Sequence, residues 1–197
     1  MSKSDPAAQK RERLKTIRWV VIIFFVTIAI SGTISLLSDI LMAHSNMVVA
    51  FLILLAIIFI GIVFDIIGMA VASADEKPFH SMAARKIPGA QEAIKLLRNA
   101  ERVSSICNDV VGDICGVVSG SASATIAAQI LSNFTFTWPQ IISLAMSALA
   151  AGLTVGGKAI GKSFAVNSCT SIVHSVGCLI ASLNRMTGKG KKKKKTR

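Results

Sequence analysis

An all-α, polytopic membrane protein, with four transmembrane helices and amphipathic helices at the inner surface, is what three features of this 197-residue sequence predict. The chain is 52% hydrophobic with a mean hydropathy of +0.62, more apolar than a soluble domain of this size. Segments 19–30 and 47–67 contain long charge-free stretches, enough to cross a hydrocarbon core of about 30 Å. The formal charge of +12 gathers in residues 3–18, 77–102 and 189–197, which flank apolar runs rather than interrupt them.

Residues 1–16 read as a basic cytoplasmic N-terminus. The first span, about 17–42, resembles a signal peptide in having basic residues before an apolar run. The run extends too far, and without a small-residue cleavage site, so an uncleaved span is expected. The second span, about 47–74, follows a connector of very few residues and must form an antiparallel hairpin with the first. Residues 77–102 are polar and mixed in charge. Pro78 and Pro88-Gly89 divide them into two short amphipathic helices, one with Phe79, Met82 and Ala83 on its apolar face, the other with Ala93, Ile94, Leu96 and Leu97. The third span is about 103–131 and the fourth about 139–157. Residues 158–184 are amphipathic and complete a transmembrane domain of 17–184. Residues 185–197 form a Gly/Lys tract with no apolar content to bury, predicted to be disordered. The connectors after the first and third spans hold no Lys or Arg, whereas both termini and the middle segment are basic. Both ends therefore belong in the cytoplasm.

This charge pattern argues against nucleic acid as a partner. The chain has no Tyr, and its aromatics are mostly Phe inside spans, so no basic stacking platform is visible. Anionic lipid accounts for the basic flanks, the lysine tail included. The cysteines, Cys107, Cys115, Cys169 and Cys178, form no C-x-x-C pair and have no His at zinc-ligand spacing, and they read as small packing residues. His44, His80 and His174 are scattered, no catalytic constellation stands out, and no enzyme is predicted.

The residues that point to chemistry are acidic. Asp65, Asp109 and Asp113 lie inside predicted spans, where a carboxylate costs about 2.5–3.5 kcal/mol even on the lenient insertion scale. At the rise of an α-helix, Asp65 lies about 14 Å, Asp109 about 9 Å and Asp113 about 15 Å from the inner ends of their spans. All three belong to the inner half of the bilayer, and Asp109 and Asp113, four apart, share a helix face. Asn108 adds a neutral oxygen. Several oxygens at one depth suit a hard cation such as Mg2+. The nearest basic residues, Lys158 and Lys162, fall near the inner end of the fourth span, so no fixed counter-charge is expected at this level. Capping by water or hydroxyls, or protonation, is the alternative. Asp39 belongs near the outer end of the first span, as an interfacial residue or a cation attractor. A stripe of Asn108, Gly112, Gly116, Gly120, Ala124 and Ala128 at steps of four permits close helix approach within the subunit or in a dimer.

Several short motifs resemble the transmembrane domain of the CNNM/CorC magnesium transporters. They are the run Phe64-Asp65-Ile66-Ile67-Gly68-Met69-Ala70-Val71-Ala72-Ser73, the stretch Leu96-Leu97-Arg98-Asn99-Ala100-Glu101-Arg102, the span start Asn108-Asp109-Val110-Val111-Gly112 and the bend Gly156-Gly157-Lys158-Ala159-Ile160-Gly161-Lys162. The resemblance covers about 47–183, roughly two thirds of the chain. It departs from the family pattern where a small polar residue and a Glu become Asp65 and Gly68, where a second Asn becomes Gly112, and where the Glu and Pro of the bend become Gly157 and Gly161. The chain also adds an N-terminal span and has no CBS domains, so nucleotide-regulated gating is not expected. The resemblance implies a homodimer.

These readings converge on a divalent cation transporter or exchanger of a bacterial-type cell membrane. Mg2+ is the bound or transported ion, and Asp65, Asn108, Asp109 and Asp113 are its ligands. The alternative is a non-transporting membrane interaction or regulatory protein, in which the aspartates hold helices together. A lytic protein, suggested by the small size and lysine tail, is a weaker third.

Overall fold

The computed structural model describes residues 6–43, 45–133 and 138–186, with side chains from residue 17 onward apart from residue 43. The described residues contain helices and turns and no strand. Four helical segments are long and apolar enough to cross a membrane, and the chain is an all-α polytopic membrane protein. Most of residues 185–197, the predicted disordered tail, lie outside the described residues, as do residues 134–137 of the turn between the third and fourth spans.

Helix α1 runs Pro6–Ala43 and α2 runs Met47–Ser73. Three short helices follow: α3 (Lys77–Ala84), α4 (Ala90–Leu97) and α5 (Ala100–Ser105). α5 continues without a break through a π-helical segment, Ile106–Gly112, into α6 (Asp113–Asn133), so the third span is one rod with a widened turn near its N-terminal end. α7 (Pro139–Asn167) forms the fourth span, and α8 (Cys169–Met186) closes the described chain. The predicted end of the fourth span at 157 is too early. The glycines there do not stop α7; Gly157 and Gly161 use their missing side chains to admit α2, while Gly156 faces open space.

α2 is the central rod and packs against α6, α7, α5, the π-segment and α8. α1 packs mainly on α6, and its apolar surface is otherwise exposed, as lipid-facing surface requires. One core joins Met42, Ala50, Leu54, Ile58, Ala122, Ile126 and Ala150, near the α1–α2 connector. A second, toward the short helices, joins Ala70, Val71, Phe79, Ala93, Leu97, Ala165 and Val173. Phe79 is fully buried, so the apolar faces of α3 and α4 pack on protein, with α4 against α8. Arg85, Lys86, Lys95, Arg98 and Arg102 are exposed, as the amphipathic pattern predicts.

Candidate functional site

The polar residues of interest sit between these two cores, on the buried stripe of α2. Ala50, Leu54, Ile58, Gly61, Asp65, Gly68 and Val71 are buried and recur every three or four residues, so one face of α2 is buried along its length. Asp65 belongs to that stripe and is 5% exposed. Gly61 and Gly68 flank it by one turn on each side, and both are tightly approached. A Cβ at Gly61 would lie 2.8 Å from Cys115 Cβ, and one at Gly68 would overlap Asn108 Oδ1.

Helix α7 supplies the counter-charge. Gly157 and Gly161 receive the side chains of Ile62 and Ile66 from α2, which draws the two helices close. Lys158, between those glycines, is thereby delivered to Asp65. Its Nζ lies 3.8 Å from Asp65 Oδ1 and donates to the Gly112 carbonyl at 3.5 Å. This corrects the expectation that no fixed cation reaches the carboxylates. α7 extends well beyond 157, so Lys158 lies inside the span, and its long stem spans the remaining gap. Both contacts are long for charge-assisted interactions, so the ammonium is shared between two oxygens and tightly held by neither.

The π-segment completes the layer. A Cβ at Gly112 would meet Lys158 Nζ at 3.3 Å, the Cys107 carbonyl at 3.5 Å and Asp65 Oδ1 at 3.8 Å, so only glycine leaves this space open. Asn108 donates from Nδ2 to Ser104 Oγ at 3.2 Å, while its Oδ1 is buried against Gly68 with no hydrogen-bond partner. A buried acceptor without a donor is costly and calls for an explanation. The Asp65 carboxylate and the Gly112 carbonyl thus share one tethered cation, while Asn108 Oδ1 is buried separately against Gly68.

Asp109 and Asp113 are placed differently. Both are exposed, on the outer side of the third span, and Asp109 accepts a hydrogen bond from Ser105 Oγ at 2.8 Å. They share a face with each other but do not join Asp65, and among the described residues no three His, Cys, Asp or Glu side chains are grouped to hold a metal. Of the four predicted ligands, Asp65 and Asn108 border the buried layer and Asp109 and Asp113 do not. Asp39 is half-buried, with Ser121 Oγ 3.4 Å from its Oδ1.

Two features of the site were not anticipated. One is a groove of about 170 Å3 between α6 and α7, on the outer side of Lys158, bordered by Ser119, Ser123, Ser147 and Thr154. Ser119, Ser123 and Thr154 donate to carbonyls of their own helices, leaving their oxygens able to accept. The other is that residues 156–163 match the spacing G-x-x-x-x-G-K-S of a phosphate-binding loop. Here they are helical throughout, with no strand among the described residues, so the backbone cannot wrap a phosphate. All four cysteines are free.

The arrangement places a buried carboxylate against a flexible ammonium. No family model, no curated protein and no solved structure matches the chain.

Proposed function

We propose that this protein is a cation carrier, with Mg2+ as its ion, in which the transported cation and the Lys158 ammonium compete for Asp65. The observation that carries the reading is the Asp65–Lys158 pair, a buried carboxylate held at 3.8 Å by a flexible cation. A carboxylate left bare at bilayer depth is costly, so a carrier that releases its ion needs something to neutralise the empty site. A lysine on a neighbouring helix does this. When Mg2+ enters, Asp65, Asn108 Oδ1 and the carbonyls of Gly112 and Cys107 supply hard oxygen donors, with water filling the remaining positions. Exchange of one cation for the other couples occupancy to the α2–α7 contact, the step an alternating-access carrier requires. The hydroxyl-lined groove toward the outer end offers an approach.

The resemblance of several short motifs to the CNNM/CorC transporters supports the same class. Asp109 and Asp113 stand outside the ion layer in this reading. Exposed carboxylates at bilayer depth face a partner or water rather than acyl chains, which supports a homodimer contacting through this side of α6. The same exposure favours a second reading, a membrane interaction protein in which Asp65–Lys158 is structural.

Reconstituted liposomes separate the two. With an imposed Mg2+ gradient and an internal indicator, wild type should carry flux, and Asp65→Asn should lose about tenfold or more. A folded wild type silent in both gradient directions would move the assignment to the interaction protein.

A further inference from the structure

Away from the ion layer, a second cavity of about 640 Å3 opens between the α3–α4 turn and the end of α8. Its size is that of ligand pockets generally. Lys86, Ile87 and Gly89 form one wall, and Asn184 and Arg185 the other. Lys86 and Arg185 are exposed cations facing one cavity from two separate elements. Lys86 adopts a left-handed backbone at φ 58°, uncommon for a lysine, in the turn that reverses the chain between α3 and α4. Glu92 also lines the cavity, but Lys95 Nζ lies 3.3 Å from its Oε1 and balances it. The local balance is therefore cationic. The start of α4 brings the positive end of a helix dipole to one wall and the end of α8 a negative one to the other, so the two side-chain cations set the sign.

The position of the cavity identifies its ligand class. It lies in the layer of short helices beyond the inner ends of α2 and α7, where headgroups meet the protein. Arg185 is followed closely in sequence by the lysine tract of residues 189–197. We propose that this cavity binds a phosphate-bearing anion, held between Lys86 and Arg185, with Gln91 at its rim. The chemistry is shared by an anionic phospholipid headgroup and a free phosphate compound. The site is independent of the cation reading, since none of its residues touches Asp65 or Lys158.

The test uses the full chain in neutral detergent, with unfolding midpoints measured against short-chain phosphatidylglycerol, short-chain phosphatidylcholine and inorganic phosphate. Wild type should be stabilised saturably by an anionic phosphate species, and Lys86→Gln/Arg185→Gln should weaken the apparent affinity by about tenfold or more. Each single substitution, at an exposed residue that leaves the fold intact, should produce an intermediate loss. A response to phosphatidylglycerol alone assigns the lipid, and an equal response to inorganic phosphate assigns a free compound. A general salt effect of phosphate would act equally on the double variant. The proposal is overturned if wild type responds to neither species, if the double variant responds as wild type does, or if neutralising the lysine tract alone abolishes the response.

Discussion

Gly68 illustrates how little room the buried polar layer leaves. A methyl group there would overlap Asn108 Oδ1 and lie 3.0 Å from Cys107 Cβ. Gly68→Ala should therefore destabilise the protein by about 1–3 kcal/mol, as overpacking does. Gly116→Ala, where a Cβ meets nothing within 4 Å, should be neutral or gain up to about 1 kcal/mol from helix propensity. Unfolding midpoints of the two variants in detergent check the contrast, and equal effects would mean that Asn108 is not packed as described. At this scale the sequence was informative about Asp65, because a carboxylate inside an apolar span is too costly to leave facing acyl chains, and it is buried. It was not informative about Lys158, because a lysine near a helix end ordinarily reaches outward to headgroups. Only the glycines on either side of it, seen packed on Ile62 and Ile66, explain why it turns inward.

Elements fix directions that depth arguments leave open. Counting residues from the span ends gives Asp65, Asp109 and Asp113 similar depths, but not their rotation about each helix axis. The π-segment resets that rotation, and its widened turn has no clear signature in composition. The small-residue stripe shows the same effect. A step of four residues over a turn of 3.6 drifts by about 40°, so Gly112 begins buried beside Lys158 and Ala128 ends exposed. The expected packing of α1 along α2 is slight, since α1 lies mainly on α6. The amphipathic pair α3 and α4 and the four apolar spans were legible because apolar periodicity and Pro/Gly punctuation are local. The docking of α8 on α4 was not. It depends on Gly89, at φ 83°, whose Cβ would lie 2.5 Å from the Cys178 backbone nitrogen, and on Gly177, whose Cβ would lie 2.5 Å from Gly89 O. Gly89→Ala should separate these elements. Amide hydrogen exchange in α8 should quicken about tenfold or more while α2 and α6 stay protected. Unchanged protection in α8 would contradict this packing.

For the whole molecule, the proposed homodimer places the exposed side of α6 against a second copy. Asp113, Val117, Gly120 and Ala124 lie on that side, with Val117 64% exposed. Small residues permit close approach, and a bulky one prevents it. Light scattering in detergent should give a two-copy mass for wild type and a one-copy mass for Ala124→Leu. A wild type that stays monomeric at micromolar concentration would remove this surface as a self-interface. The dimer would also account for Asp109 and Asp113, the two carboxylates that the single chain leaves exposed.

Competition between Lys158 and a cation for Asp65 is most directly tested by thermal stability against Mg2+ at fixed ionic strength, for wild type, Asp65→Asn and Lys158→Met. Without Mg2+, Lys158→Met should lose about 3–5 kcal/mol, because a buried carboxylate has lost its partner. Added Mg2+ should stabilise wild type saturably. It should stabilise Lys158→Met at about tenfold lower concentration, since the tethered competitor is gone, and it should leave Asp65→Asn unchanged. If Lys158→Met is destabilised yet responds to Mg2+ no better than wild type, and Asp65→Asn responds equally, the pair is structural and the cation account fails.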